Sequence, residues 1–299
     1  MTDLAAANEQ IAAEMAACYA DPLRHVLVSY PWGQGQLNGR PGPQDWQRDL
    51  LIEVGNEVKA RGFNGTAPVA PIQFSTASGH GIGKSAIVAW LIRWIMDTRP
   101  FAKGVVTANT GEQLRTKTWS ELAKWHSMGL TKHWYTLNSG AGSLNMYHTE
   151  YRETWRVDAL TSREENSEAF AGLHAANSTP FYIFDEASAV PDRIYEVREG
   201  GLTDGEPMTF DFGNPTRNSG RFYQNMVGRY RGNYIRRFID SRDVEQTNKE
   251  LFDQWAKDYG EDSDFFKVRV RGMFPSAGSL QFISVGDVEA CIGREVYVG

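Results

Sequence analysis

Apolar positions along this chain fall into two patterns: short runs suited to buried strands, and one longer run at helical spacing. Ile72 to Ala77, Lys103 to Ala108, Phe181 to Phe184 and Thr209 to Gly213 each predict a strand. Ala86 to Met96 is apolar nearly all round and predicts a helix buried on several sides. Residues 2 to 20 place Leu4, Ile11, Met15 and Cys18 near helical spacing, and a second helix opens at Pro43 and runs to about Lys59. Further helices are predicted from Asn109-Thr110 to about His126, over 219 to 228, near 247 to 258 and near 263 to 272; Thr110 and Gln113 match a capping box. Leu144 to Leu160 alternates as a hairpin or edge pair would, and 233 to 239 reads as a strand. Ser162 to His174 is polar and loop-like at first, then helical. Tyr30 to Pro43 and Arg61 to Pro71, rich in glycine and proline, read as surface connections. Strand, glycine-rich loop, helix, strand, helix is the order of an α/β fold with a mainly parallel sheet flanked by helices. The expected division is a helical segment over 1–60, a core over 61–215 and a smaller lid or linker subdomain over 216–299, with Ile283 to Gly299 as the linker.

Composition changes this picture little. With 299 residues, 41% apolar and 23% charged, the chain has the make-up of an ordinary globular protein. No apolar run reaches bilayer length, and Asp3 and Glu9 occupy an N-terminus that lacks the basic-then-apolar order of a secretion signal. Two distant cysteines, Cys18 and Cys291, point to a reducing cytosol and inert thiols. Of six histidines, none belongs to a zinc-like set; His80 lies in a glycine-rich loop, and His126 and His133 are seven apart. A net charge of −6 argues against non-specific coating of nucleic acid. The run from Arg217 to Arg242 still interleaves seven arginines with Phe222, Tyr223, Tyr230 and Tyr234. That is either a phosphate- and base-contacting face or a solvated one balanced by the acidic stretch Asp243 to Asp264.

Candidate chemistry sits in two stretches. Ser75 to Ser85 closes in Gly83-Lys84-Ser85 ahead of the apolar helix. A phosphate loop needs backbone N–H groups turned into one concavity, a lysine for the outer phosphates and a hydroxyl for Mg²⁺, at a helix N-terminus. Gly79, His80, Gly81, Ile82, Gly83, Lys84 and Ser85 supply these parts. Ser78 stands where the usual pattern has glycine, and the expectation is that Gly79 takes over the unusual torsion. The second stretch, Phe181-Tyr182-Ile183-Phe184-Asp185-Glu186, carries an acid pair to the C-terminal end of a buried strand. Asp185 would join the Mg²⁺ shell and Glu186 would deprotonate the water attacking a γ-phosphate. Asn214, ending another strand, would hydrogen-bond that phosphate or water, or else simply form an Asn-Pro turn. Gln47 beside Trp46 is open in the same way: an adenine contact, or a surface residue next to a core anchor.

These motifs, in order, resemble the ATPase half of the large terminase subunit of tailed bacteriophages, a DNA-packaging motor. The resemblance runs from about Pro43 to Ile292. It rests on Ser78-Gly79-His80-Gly81-Ile82-Gly83-Lys84-Ser85, Thr107-Ala108-Asn109-Thr110, Ser162-Arg163-Glu164 to His174, Phe184-Asp185-Glu186-Ala187-Ser188, Phe212-Gly213-Asn214-Pro215 and Val270-Arg271-Gly272-Met273-Phe274-Pro275. It implies a P-loop NTPase fold of the ASCE type, ATP and Mg²⁺ as cofactors, Asn214 on the motif that couples hydrolysis to DNA movement, and Gln47 at the adenine. Arg163, with Arg217 and Arg221 as rivals, would stabilise transition-state charge, in its own or a neighbouring subunit. It further implies double-stranded DNA, a portal protein and a small terminase subunit as partners, a homo-oligomeric ring when docked, and a place in the host cytoplasm and at the procapsid vertex. Intact family members carry a nuclease as well. Asp287 and Glu289 end the chain, and Asp258, Glu261, Asp262 and Asp264 read as a solvated loop, so the expectation here is an ATPase without DNA cleavage. A P-loop phosphotransferase and a nucleotide-gated, non-enzymatic assembly adaptor are the alternatives.

Overall fold

The computed structural model describes residues 2–276 apart from 109, 141 and 176. Its helices are α1 (Thr2–Ala17), α2 (Pro22–Ser29), α3 (Asp45–Arg61), α4 (Lys84–Thr98), α5 (Gly111–Gln113), α6 (Ser120–Met128), α7 (Asp192–Gly200), α8 (Gly220–Met226), α9 (Lys249–Tyr259) and α10 (Asp264–Phe266). Its strands are β1 (Ile72–Ser78), β2 (Lys103–Ala108), β3 (Tyr135–Gly140), β4 (Ser143–His148), β5 (Arg156–Thr161), β6 (Pro180–Asp185), β7 (Met208–Gly213) and β8 (Ile235–Ile239). They form one sheet in the order β3-β4-β5-β2-β6-β7-β1-β8. From β5 to β8 all neighbours are parallel; β3 and β4 form an antiparallel edge.

Every residue of β6 and β7 is buried, as the apolar run of β6 requires for a strand covered on both faces; in β7 the buried Asp211 is paired with Arg198 at 2.5 Å. One face packs on α2, α3, α4 and α6 through a core that includes Trp94, Trp119 and Trp125. The other packs on α7 and α8 through Phe184, Tyr195 and Phe222. Burial of α4 is complete from Ile87 to Thr98. It takes in Arg93, whose guanidinium meets Asp97 at 3.0 Å, Thr131 and His126, while His25 closes on Asp97 at 2.9 Å. A charge inside an apolar helix is held there because every face of it finds a partner.

Several boundaries differ from expectation. The segment after residue 216 is not separate from the sheet, because β8 pairs in parallel with β1. The helix expected from 109 to His126 is interrupted by a π-turn over Leu114–Trp119. The segment 263–272 likewise splits into α10 and a π-turn over Lys267–Arg271. Glu164–Phe170 is a 3₁₀ turn, so no α-helix forms before His174. The linker over 283–299, with Asp287, Glu289 and Cys291, lies outside the described residues.

Candidate functional site

The functional residues gather because the sheet order interleaves three strand ends. β7 lies between β1 and β6, with Ala77 opposite Gly213 and Asp185 opposite Phe212. The loop after β1, the acid pair after β6 and Asn214 after β7 therefore emerge side by side at the C-terminal edge, where ligands of parallel α/β sheets bind.

The loop turns at Gly81 (φ 78°) and Gly83 (φ 84°), both left-handed, and α4 begins at Lys84. Gly79 does not have the positive φ expected of it. Glycine is required there for space, since a Cβ would collide with the Val270 carbonyl and with Ser241 Oγ. Its N–H donates to Ile239 O at 3.1 Å, and that of His80 donates to Arg269 O at 2.8 Å. The phosphate cradle is thus narrower than the motif suggested. Amides 79 and 80 are engaged by the C-terminal segment, and those of 81–85 remain to face an anion. Ser78 fits in place of glycine as a fully buried residue that accepts a hydrogen bond from Lys84 Nζ at 3.1 Å and donates to Gly79 O.

Lys84 Nζ also donates to Asn214 Oδ1 at 3.1 Å. Burial holds its ammonium below the usual lysine range, opposed by the nearby charges of Glu186 and then Asp185. Asp185 is itself buried, and desolvation raises its pKa; the largest opposing effect is the Thr118 hydroxyl, 2.6 Å from Oδ2. Glu186 is a non-glycine residue in the left-handed region, at φ 54°. Such strain is found where a side chain must be held in one direction. The pKa of His80, exposed at the mouth, is lowered by partial burial and by the charges of Lys84, Arg269 and Lys117.

A cavity of about 370 Å³, within the range of small-ligand sites, opens over the loop and Glu186, while Gly79 and the buried Asp185 lie behind its wall and do not line it. Residues 80–85, Gln47, Glu186 and Asn214 line it. Trp46 does not: its indole N–H donates to Ile82 O at 3.0 Å, so it braces the loop from behind. The Gln47 carboxamide donates to Gly83 O and accepts from Gln44 N, so it too shapes the loop while facing the cavity. The cavity walls also include Trp32, Arg40, Trp90, Glu121 and Trp125, none of them anticipated. Only the glycine- and proline-rich run over 30–43 hinted that a covering loop would be needed.

Arg163 is exposed and does not line the cavity. Arg221 is engaged with Glu199 at 2.7 Å and Asn225 at 3.1 Å and lies over the Tyr230 ring. Arg237 pairs with Glu53, and Arg242 with Asp240 and Glu261. Arg221, Arg237 and Arg242 of the arginine-aromatic run are thus ion-paired within the fold. Buried Cys18, raised to about 11, is an unreactive thiol.

The oxygen donors suit a hard cation. Ser85 lines the cavity, and each Asp185 oxygen accepts one hydrogen bond and keeps a second lone pair. Among the described residues no group of three or more His, Cys, Asp or Glu side chains forms a metal site alone. Nor is any helix among them long and apolar enough to cross a membrane.

No family model matches the chain. Over an alignment of 295 residues, taking in 94% of the chain, it is 25% identical to the probable terminase large subunit of Enterobacteria phage P7. It covers 56% of that relative, so the chain spans about half the length of the curated protein it matches. Its fold is similar to the large terminase of a thermophilic bacteriophage (TM-score 0.55, 14% identity, 69% of this chain and 49% of that one). It is similar also to the Thermus phage P74-26 large terminase ATPase domain (0.51, 15%, 69% and 88%) and the HK97 bacteriophage large terminase (0.54, 12%, 86% and 55%). The first of these three proteins has also been solved in complex with ADP.

Proposed function

We propose that this chain, whose fold is that of the large terminase ATPase domains, hydrolyses ATP in the cavity above the sheet and so drives double-stranded viral DNA into a procapsid. The observation that carries the reading is the meeting of Lys84, Asn214 and the Asp185-Glu186 pair at three adjacent strand ends, with Lys84 bonded to Asn214 and under the charge of both acids.

In this reading the amides of 81–85 and the Lys84 ammonium hold the β- and γ-phosphates, as a helix N-terminus and a fixed cation do for anions. Ser85 and Asp185 hold Mg²⁺, which when bound neutralises phosphate charge during transfer. Glu186 takes the proton of the attacking water, and its strained backbone fixes the direction of that carboxylate. Gln47 and Trp32 face the adenosine. Asn214 reports the phosphate's presence to the chain after β7. Arg163, exposed and off the cavity, acts from a neighbouring subunit of a ring. Residues 2–60 frame the base side, 61–215 carry the chemistry, and the described segments beyond 216 other than β8, up to residue 276, form the lid toward the DNA, the portal and the small subunit.

Phosphate release from ATP with Mg²⁺ tests the chemical step. Free phosphate lost in Lys84→Ala and Glu186→Gln supports it; label arriving on an acceptor, or release unaffected by Glu186→Gln, sinks it. Packaging of DNA by procapsids supplied with this chain, and its loss in Glu186→Gln, tests the motor role.

A further inference from the structure

The chain between α5 and α6 departs from α-helical winding in the single π-turn Leu114–Trp119. One extra residue per turn weakens the helical hydrogen bonds, and such turns concentrate where a side chain must be re-aimed at a functional site. Leu114, Thr118 and Trp119 are its buried side chains. The Trp119 indole N–H donates to Asn138 O at 2.9 Å and ties the turn to the antiparallel edge of the sheet. Thr118, 1% exposed, donates from Oγ1 to Asp185 Oδ2 at 2.6 Å. The other carboxylate oxygen accepts from the Glu186 N–H at 3.0 Å. One bond to each oxygen fixes the plane of the carboxylate while leaving a lone pair on both.

We propose that Thr118 is a positioning residue, whose hydroxyl, delivered by the π-turn, holds the Asp185 carboxylate in the orientation that receives the divalent cation. The inference rests on the nucleotide-site reading above and extends it to an element that none of the phosphate-loop or acid-pair motifs contains. A hydrogen bond to a ligating carboxylate pre-orients it, and loss of such a partner lowers metal affinity by roughly 10- to 100-fold. A mere tether between the π-turn and the sheet would change stability and leave metal affinity alone.

The test uses Mn²⁺ as the probe, its free ion counted by electron paramagnetic resonance in the presence of ADP, with the whole chain. Thr118→Val, nearly isosteric, is expected to weaken Mn²⁺ binding by about tenfold or more, and Thr118→Ser to restore it. ADP binding without metal, measured by calorimetry, is expected to stay unchanged in both. Should the valine variant not fold, Thr118→Ala provides the same comparison. Equal Mn²⁺ affinity in the variant and the parent chain, or no recovery with serine, overturns the role of Thr118 alone. A parent chain that holds neither Mn²⁺ nor ADP overturns the nucleotide-site reading and this inference with it.

Discussion

Asn214 bridges the two sides of the phosphate loop: its Oδ1 accepts from Lys84 Nζ at 3.1 Å while its Nδ2 donates to the Ser78 carbonyl at 2.6 Å. The side chain is buried, so each of these bonds is made in surroundings where an unpaired polar group costs about 1–3 kcal/mol.

Asn214→Leu is expected to keep the fold and nucleotide binding while slowing phosphate release by at least tenfold, because Lys84 loses the side-chain partner that follows β7. Lys84→Ala, by contrast, removes the phosphate cation and is expected to weaken ADP binding itself. Calorimetry with ADP separates the two variants; equal loss of binding in both would refute the distinction.

Glu186 carries its carboxylate on a left-handed backbone, which disfavours any side chain by about 1–2 kcal/mol. Glu186→Gly should therefore be at least as stable as the parent, while phosphate release falls by about 10²- to 10⁴-fold through loss of the base. A melting temperature several degrees lower than the parent's would contradict the strain argument.

Gly79 and Gly81 are expected to respond differently to alanine. At Gly79 the new methyl meets the Val270 carbonyl and Ser241 Oγ, so the C-terminal segment must move, with a loss of about 2 kcal/mol or more. At Gly81 the nearest atom, Thr247 Cγ2, is 3.8 Å away, so the torsion at φ 78° alone opposes the change, at about 1 kcal/mol. Urea unfolding of the two variants measures the difference.

His126 Nδ1 lies 3.1 Å from Arg93 Nη1, and burial together with that cation pushes its pKa from 6.5 down to about 4. The folded chain thus resists a proton that the unfolded chain accepts. Stability is full above about pH 6.5 and is expected to fall as pH drops towards 4. His126→Gln, whose carboxamide oxygen still accepts from Arg93 but does not titrate, should flatten that part of the profile. Unfolding midpoints between pH 7 and 4 decide it.

The parts of the site visible in the sequence are those whose chemistry is local. Gly83-Lys84-Ser85 must start a helix because glycine supplies the turn and the hydroxyl and lysine face the same end. Phe181 to Glu186 must be a buried strand with acids at its tip, because four bulky apolar residues have nowhere else to go. Trp46 shows where local reasoning stops: an aromatic next to Gln47 reads equally as base contact or anchor, and only the position of Ile82 O makes it an anchor. The exposed Arg163 and the ion-paired Arg221 look alike as letters, and differ only in what surrounds them.

The sequence by itself determined the class of fold, the central strands and the two stretches of phosphate-type chemistry, because propensity, burial pattern and turn torsions act over a few residues. The tertiary structure alone decided that β7 lies between β1 and β6, that Ile239 and Arg269 occupy the amides of Gly79 and His80, and that Thr118 meets Asp185. Strand order and such distant hydrogen bonds follow from how layers pack and which buried polar groups find partners across the whole chain, and no short window of residues encodes that.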